Sequence, residues 1–349
     1  MKKHHIYWWN LENLFDIENS PTRPAWFQKT IKRELKGWNT AVLDKKLNNL
    51  CQIIKKMNGG VGPDILGVCE IENEAVVAKL MARVTAATGR NYKILHKDTG
   101  DKRGIDIAII YDTDLYTDDG RIFTLEVMKR NATRDLLQVN LTTVDGNELV
   151  LIGNHWPSRM GGQLEPEPYR AMVGEILSYW IDRIHEIKLA ENNDKNPTII
   201  IIGDFNDNPY DKSITKYLQA SGNLEKVKNA RNHILFNLMY PFVEFGFGTH
   251  VYGSEQSILD QFIVSKSLIV NATNYPFQVE KTALVHYPEL VKGDYNRPIR
   301  FGRPSSTRTF DEAGFSDHLP IELIITERIY FFFGFRMLKF GHLTLFNET

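Results

Sequence analysis

Cysteine is scarce in this sequence. Cys51 and Cys69 are the two cysteines among 349 residues, so a disulfide framework cannot hold the fold together. Cys51 lies in a segment with helical spacing of apolar residues, and Cys69 lies in an apolar run typical of a buried strand. We therefore expect both thiols to pack in the core. This usage is compatible with a reducing compartment but does not require one.

An excess of either charge is also missing. The chain has 42 basic and 43 acidic residues and a net charge of −1, so no global field draws it to nucleic acid or to an anionic membrane. A local basic rim can still bind a nucleic-acid backbone. The residues available for such a rim are Lys129, Arg130, Arg134, Arg159, Arg297, Arg300, Arg303 and Arg308. The alternative is that these are ordinary solvated charges.

Long hydrophobic runs are absent as well. The one suspicious stretch, residues 329–335, is far shorter than the roughly 20 apolar residues that a membrane span needs. Near the N-terminus, Asn10 and Glu12 interrupt the apolar residues too early for a signal peptide. We therefore expect no stable membrane span and a cytoplasmic protein.

The chain contains no linker rich in proline, glycine or serine, and no repeat. Its composition, 42% hydrophobic and 24% charged, is that of a globular protein. Apolar spacing predicts helices at residues 40–57, 74–88 and about 168–191. Strands are predicted at residues 105–111, 123–128, 136–143 and 149–154, with a hairpin turn at residues 145–147. Consecutive strands with helices before and after indicate two mostly antiparallel sheets packed face to face between helices.

This pattern predicts one domain over residues 1–326. The remaining segment, residues 327–349, fits no strand or helix pattern and is interpreted as a C-terminal tail of unknown role. Oligomeric state is left open by the sequence.

The most informative feature is a recurrence of polar groups at the ends of apolar runs. Four runs lead into a polar group, and in a fifth case the polar pair precedes the run. A strand that begins with its functional group, if antiparallel to the others, delivers that group to the same sheet edge. The residues concerned are Asn10, Glu70, His155, Asp204 with Asn206, and Asp317 with His318. Carboxylates, amides and imidazoles would then meet in an active site.

Two of these patterns favour metal-assisted activation of water. Glu70 offers the single carboxylate with which proteins often hold Mg²⁺, together with waters and substrate phosphate, and Asn10 can add a neutral oxygen. Asp204 can activate a water, and Asn206 can bind charge that develops on phosphoryl oxygen. The alternatives are a solvated glutamate at a strand end and a plain polar turn.

The histidines favour phosphate chemistry. His318 can face phosphate as a cation or act as a general acid, and Asp317 can orient it or bind metal, although a surface pair is the ordinary alternative. His155 is a second imidazole, and Arg159 can meet phosphate with two parallel hydrogen bonds. Asp106 can hydrogen-bond one of the histidines and fix its tautomer.

Seven short motifs, taken in order, resemble the endonuclease/exonuclease/phosphatase superfamily. They are residues 9–16 (WNLENLFD), 69–72 (CEIE), 103–106 (RGID), 153–159 (GNHWPSR), 203–207 (GDFND), 259–261 (LDQ) and 316–318 (SDH). Each is weak alone, but the ordered set is specific and covers nearly the whole chain. The sequences of these motifs are most similar to those of bacterial members. The resemblance implies a four-layer α/β/β/α sandwich that hydrolyses phosphate esters, usually with Mg²⁺, for which Mn²⁺ can substitute.

The resemblance also implies roles at the matching positions. The metal ligands would be Asn10, Glu70, Asp317 and Asp260. The catalytic groups would be His155, Asp204, Asn206, His318, Asp317 and Asp106. The substrate contacts would be Arg159, Asn206 and His155. In physical terms this is in-line attack of water on phosphorus, with metal and imidazolium neutralising the developing charge.

Nucleic acid is the favoured substrate, because of its frequency in the family and the arginines and lysines in loops. A phospholipid phosphodiesterase or an inositol-phosphate phosphatase of the same fold is the alternative, so a phosphorylated lipid or small molecule stays open as the partner. A scaffold without activity is a more remote alternative, since every matched position keeps a competent side chain.

Overall fold

The computed structural model describes residues 1–32, 35–99, 104–125, 127, 136–159, 166–293, 295–302 and 310–328. In chain order the strands are β1 Lys2–Leu14, β2 Ile65–Ile71, β3 Tyr92–His96, β4 Asp106–Asp112, β5 Tyr116–Leu125, β6 Leu136–Thr143, β7 Glu148–His155, β8 Ile199–Asp204, β9 Ala220–Ser221, β10 Leu235–Asn237, β11 His250–Tyr252, β12 Glu255–Ser257, β13 Asp260–Val264, β14 Phe277–Leu284, β15 Val291–Lys292, β16 Arg297–Pro298 and β17 Ile321–Glu327. The α-helices are α1 Ala25–Ile31, α2 Thr40–Ile54, α3 Glu74–Thr88, α4 Glu167–Asn192, α5 Leu224–Asn229 and α6 Tyr240–Glu244. Short 3₁₀ turns lie at Asn58–Gly60, Lys266–Leu268 and Pro288–Leu290, and a π-helical turn lies at Ser213–Tyr217.

Side-chain caps fix where two of the helices begin. Asn39 precedes α2, and its Oδ1 accepts a hydrogen bond from the Val42 amide at 3.1 Å. Asn73 precedes α3 in the same way, with the Val76 amide at 2.9 Å. Gly89 ends α3 with a φ of 74°, which glycine adopts without steric cost. The predicted helices are confirmed: α3 has the predicted bounds, α2 ends three residues earlier, and α4 is one residue longer at each end.

The strands form two large sheets. The first has the order β14-β17-β1-β2-β4-β3, in which only the neighbours β1 and β2 run parallel. The second has the order β5-β6-β7-β8-β13-β10-β9, in which β7 and β8, and β10 and β9, run parallel. The predicted hairpin turn joins β6 to β7. Both sheets are therefore mostly antiparallel.

The central strands of each sheet are buried on both faces, which creates layers. In β8, Ile200 and Ile202 pack between the two sheets, whereas Ile199 and Ile201 pack towards α4. On the other side of the molecule, α1, α2 and α3 pack on the outer face of the first sheet. The four-layer α/β/β/α sandwich expected from the sequence is confirmed.

Strand register brings distant parts of the chain to one edge of the second sheet. In the parallel pair of β7 and β8, His155 lies opposite Asp204. In the antiparallel pair of β8 and β13, Asp260 lies opposite the same Asp204. In the first sheet, Asn10 lies opposite Cys69, the residue before Glu70. The ends of separate strands therefore converge on Asp204.

The last strand extends just beyond the expected domain limit. β17 ends at Glu327, which is fully buried and hydrogen-bonded to His4 of β1. Residues 329–349, the rest of the predicted tail with its apolar stretch, lie outside the described residues. Within the described part of the chain, no helix has both the length and the apolar character needed to cross a membrane.

Candidate active site

Asp204 lies at the centre of the site, at the carboxyl end of β8. Its side chain is buried, and its Oδ2 accepts a hydrogen bond from Asn10 Nδ2 at 3.1 Å. The same oxygen lies 3.7 Å from His155 Nε2 and 3.9 Å from His318 Nε2. A carboxylate and two imidazoles thus face one small volume, as the sequence predicts.

His318 is oriented by Asp260 rather than by its sequence neighbour Asp317. Asp260 Oδ2 lies 2.6 Å from His318 Nδ1, and its other oxygen accepts a hydrogen bond from Trp8 Nε1 at 3.0 Å. Both oxygens of this fully buried carboxylate are therefore engaged. Asp260, predicted as a metal ligand, is placed to fix the tautomer of His318 and to point Nε2 towards Asp204.

The acidic surroundings favour the protonated form of His318. Burial alone would lower its pKa, but the carboxylates of Asp260 and Asp204 raise the pKa of His318 well above the ordinary value. Burial raises the pKa of Asp204 to about 7; the nearby charges of Asp260 and Glu70 add to this, and His318 opposes it. A cationic imidazole thus faces a carboxyl group whose pKa suits proton transfer near neutral pH.

Glu70 reaches the site because β2 bulges there. The pairing of β2 with β4 shifts register between Cys69 and Ile71, and Glu70 has a φ of 58°. Its Oε2 accepts a hydrogen bond from the Asn13 amide at 3.0 Å, and its Oε1 lies 3.6 Å from His155 Nε2. The side chain is 18% exposed, so this carboxylate can be reached by a hydrated divalent cation.

Asn10 and the turn after it form another side of the site. Asn10 Oδ1 accepts a hydrogen bond from the Glu12 amide at 2.9 Å, while its amide nitrogen donates to Asp204. The buried carboxylate of Glu12 accepts a hydrogen bond from Arg300 Nε at 2.7 Å, and its backbone oxygen accepts one from Lys46 Nζ at 2.8 Å. Burial raises the pKa of Glu12 to about 7 and lowers that of Lys46 to about 8.

Asp317 is held by an arginine. Its Oδ2 lies 3.2 Å from Arg300 NH2. Burial would raise the pKa of Asp317, but the charges of His318 and Arg300 lower it overall. Asp317 is therefore a paired carboxylate on the side of the site next to Glu12.

Asn206 and Arg159 form one turn beside Asp204. The Asn206 amide donates to Asp204 Oδ1 at 2.9 Å, and Asn206 Nδ2 donates to the Trp156 carbonyl at 3.1 Å. Arg159 Nε donates to the Asn206 carbonyl at 2.8 Å, and its NH2 lies 3.0 Å from Asp211 Oδ2. Arg159, expected to contact phosphate, thus stabilises the turn that carries Asn206.

Asp106 is placed with another set of residues. Its Oδ1 accepts a hydrogen bond from Thr99 Oγ1 at 2.5 Å, and its Oδ2 lies 3.5 Å from His96 Nε2. The expected partner, His155 or His318, is replaced by His96 at the end of β3. Lys129, Arg130, Arg134, Arg303 and Arg308 of the expected basic rim, and Arg103 of the RGID motif, lie outside the described residues.

Sequence reasoning missed two groups at the site. His250 forms a β-bridge with His318, and the ring centroids are 4.8 Å apart. Burial and the cationic His318 lower the pKa of His250 to about 4. Cys69, expected as a plain core thiol, is buried with its Sγ within 4.8 Å of ligand atoms of His155 and Asp204. No motif marks His250, because the pairing of β11 with residue 318 is non-local.

Side chains of the types that ligate divalent cations lie close together at the site. Asp204, Asp260 and His318 bring ligand atoms within 4.8 Å of one another, as do Cys69, His155 and Asp204. These groups lie at strand ends, and they belong to the motifs found in the sequence. A model of the endonuclease/exonuclease/phosphatase family matches residues 5–327.

The chain belongs to this family. No curated protein is similar enough in sequence to count as a match. Among solved structures, a humanized D. rerio TDP2 with 14 mutations is 15% identical, with a TM-score of 0.55 over 93% of this chain and 99% of that one. An endonuclease/exonuclease/phosphatase family protein from Bacteroides thetaiotaomicron is 15% identical, with a TM-score of 0.54 over 93% and 95%. D. rerio TDP2 complexed with a single-strand DNA product is 14% identical, with a TM-score of 0.53 over 93% and 100%.

At these identities the solved structures establish the shared fold. Together with the family match, they make the protein a phosphoesterase-type hydrolase by family. The family resemblance implies dependence on a divalent metal, and the acidic and imidazole groups at the site are suitable ligands.

Proposed function

We propose that this protein is a Mg²⁺-dependent phosphodiesterase that cleaves nucleic acid. The observation that carries the proposal is the placement of Asp204 Oδ2, which lies within 3.9 Å of both His155 Nε2 and His318 Nε2. One carboxylate for a water and two imidazoles for a phosphate are the groups that hydrolysis of a phosphodiester needs.

The residues divide the proton transfers between them. Asp204 accepts a proton from the attacking water while the water oxygen bonds to phosphorus and the bond to the leaving oxygen breaks. His318, held as a cation by Asp260, faces the phosphate and donates its Nε2 proton to the leaving oxygen. His155 contributes the second imidazole contact. Asn206 carries a second amide hydrogen beyond the one that bonds Trp156, and this hydrogen is available to a phosphoryl oxygen.

Glu70 is the residue to which we assign the metal, with Asn10 and Asp317 as the further candidate ligands. Its partly exposed side chain matches the preference of Mg²⁺ for few carboxylates and several waters. When bound, the cation supplies charge neutralisation at the phosphate. Asp260 is not assigned to the metal, because both of its oxygens are hydrogen-bonded.

Nucleic acid is proposed as the substrate class on the strength of one relative. D. rerio TDP2, which shares this fold, binds a single-strand DNA product. Arg297 and Arg300 of the expected rim lie among the described residues, and the Arg300 side chain is 46% exposed, so it can contact a backbone phosphate.

The purified protein should be assayed with Mg²⁺, and with EDTA as the control, on plasmid, single-stranded DNA, RNA, sphingomyelin and an inositol polyphosphate. We expect metal-dependent cleavage of a nucleic acid, reduced about 10³-fold or more by Asp204→Ala or His318→Ala with folding retained. Asp114→Ala and His286→Ala, both at exposed positions, are the matched controls.

The outcomes separate the parts of the proposal. Cleavage of lipid or inositol phosphate alone would overturn the substrate class but keep the site. Full activity in Asp204→Ala or His318→Ala would overturn the site assignment. Absence of cleavage on every substrate would overturn the phosphodiesterase itself.

A further inference from the structure

A second cluster of metal-type ligands lies apart from Asp204, between β3 and β4. His96 ends β3 and lies opposite Ala108 of β4. Asp106 begins β4 two residues before Ala108, so it shares a sheet face with His96, because side chains alternate along a strand. Asp98 follows two residues after His96. The ligand atoms of His96, Asp98 and Asp106 all lie within 4.8 Å of one another.

The His96 imidazole points into this cluster. Its side chain is 4% exposed, and no hydrogen-bond partner for Nε2 is present among the described residues. The carboxylate oxygens beside it are Asp106 Oδ2 at 3.5 Å and Asp98 Oδ1 at 3.9 Å, both ion-pair separations. Neither contact forms a hydrogen bond, and both are longer than the usual range of about 2.7–3.2 Å. A buried polar nitrogen without a partner is costly, which points to a ligand between these groups.

The spacing matches a bridging cation. Two ligand atoms about 2.0–2.2 Å from a tetrahedral Zn²⁺ are about 3.4 Å apart. The observed separations from His96 Nε2 are slightly larger than this, so small side-chain movements would close the site. Thr99 Oγ1 donates to Asp106 Oδ1 at 2.5 Å, the kind of outer contact that orients a ligating carboxylate.

We propose that His96, Asp98 and Asp106 form a second metal site, which takes a divalent transition-metal ion such as Zn²⁺. One imidazole nitrogen and two carboxylate oxygens suit Zn²⁺ or Mn²⁺ better than Mg²⁺ or Ca²⁺, which prefer oxygen ligands alone. A cavity of about 340 Å³ that is lined in part by His96, Asp98 and Asn73 gives waters access to the remaining coordination positions.

The site adjoins the catalytic one through the backbone. Asp106 lies opposite Ile71, the residue after Glu70, at the bulge of β2. An ion at Asp106 would therefore fix the start of β4 against the strand that positions the catalytic carboxylate. This gives Asp106 a structural role near the active site without contact with the phosphate.

The proposal is tested by zinc binding to the full chain, stripped of metal and then equilibrated with Zn²⁺ in excess Mg²⁺. We expect Asp98→Asn and His96→Gln to bind Zn²⁺ about 10- to 100-fold more weakly than wild type, with Asp114→Asn unchanged. Asp98 is 83% exposed, so Asp98→Asn can be tested even if the buried His96→Gln variant fails to fold. Unchanged Zn²⁺ affinity in Asp98→Asn would overturn the proposal.

Cobalt spectroscopy separates this site from the catalytic cluster that contains Cys69. Co²⁺ bound to imidazole and carboxylates lacks the thiolate charge-transfer absorption that Co²⁺ at Cys69 would show. We expect a component of the Co²⁺ spectrum that lacks this absorption and is lost in Asp98→Asn. If the entire Co²⁺ signal is a thiolate band and it persists in Asp98→Asn, the metal lies at Cys69 and the second site is refuted. Neither readout depends on phosphodiesterase activity.

Discussion

Asp260 controls His318 through a single short contact, 2.6 Å between Oδ2 and Nδ1. The carboxylate holds Nδ1, so Nε2 is the ring nitrogen that faces Asp204. It also raises the pKa of the ring. Because Trp8 holds the other oxygen, Asp260 cannot turn away. The orientation of the His318 imidazole is thus determined by two buried residues from different sheets.

Replacing Asp260 with asparagine should therefore impair catalysis more than folding. Asp260→Asn keeps the shape but removes the charge that holds His318 protonated, and we expect kcat to fall about 10²-fold or more, with KM nearly unchanged. Steady-state kinetics on the substrate that the cleavage assay selects measures both constants. Asp112→Asn, at an equally buried carboxylate paired with Arg90, is the control; equal losses in both variants would argue against a positioning role.

His250 should contribute a smaller effect. Its neutral ring lies 4.8 Å from that of His318, so it can offer one further hydrogen bond at the phosphate side of the site. We expect His250→Ala to lower kcat/KM about 3- to 10-fold, the value of one ordinary hydrogen bond. His286→Ala serves as the exposed control, and an unchanged kcat/KM in His250→Ala would exclude the contact.

The residues of the site could be predicted from the sequence more readily than the hydrogen-bond and ion-pair partners of each residue. Asp204, His155, His318 and Glu70 come together as expected, because each ends or begins an apolar run. The partner of Asp106 could not be predicted, since His96 is ten residues away and no pattern couples the two. The role of Asp260 was likewise hidden, because its neighbours Trp8 and His318 come from the first strand and from the segment before the last.

At the scale of elements, the bulge in β2 decides what Glu70 and its neighbour do. Regular alternation would point Glu70 and Glu72 the same way. With a φ of 58° at Glu70, the chain instead turns Glu72 inward, where it forms a salt bridge with Arg23 at 2.7 Å. One carboxylate serves the site and the other the scaffold.

Helix bounds were predictable because caps and apolar spacing act locally. Strand bounds were less so: β1 runs to Leu14 through a register shift after Asn10, whereas the sequence suggests a strand that ends at Asn10. Bulges depend on the neighbouring strands, so the sequence of one strand does not reveal them.

The cap of α3 offers a test at this scale. Asn73→Ala removes the acceptor for the Val76 amide, and we expect the free energy of unfolding to fall by about 1 kcal/mol. Asn73→Asp keeps an acceptor and should retain most of this stability. Urea denaturation of both variants measures the difference; equal losses would show that another feature of Asn73 matters more than the cap.

At the scale of the molecule, Glu327 connects the two sheets. Its Oε2 lies 2.9 Å from His4 Nε2 of β1, and its Oε1 accepts hydrogen bonds from Thr143 at 2.5 Å and from Asn147 at 2.7 Å. Burial opposes ionisation, but these hydrogen bonds lower the pKa of Glu327 to about 2. The fold is therefore stabilised by a buried carboxylate that stays ionised.

This arrangement predicts a pH dependence of stability. A pKa lowered from 4.5 to about 2 stabilises the fold fully above the ordinary value, and the effect is lost as the pH falls towards 2. We expect Glu327→Gln to cost about 2 kcal/mol at neutral pH and progressively less below pH 4.5. Denaturation across pH checks this, with the exposed Glu191→Gln as the control. A cost independent of pH would contradict the assignment.

The pairing of β1 with β17 also determines when the candidate site can be completed during synthesis of the chain. Trp9 Nε1 donates to the His318 carbonyl across 309 residues of chain. At ribosomal speeds of about 5–20 residues per second, translation of this interval takes on the order of tens of seconds. Throughout that time the nascent chain carries Asn10 without His318. The residues of the candidate site therefore cannot all come together until translation has passed His318.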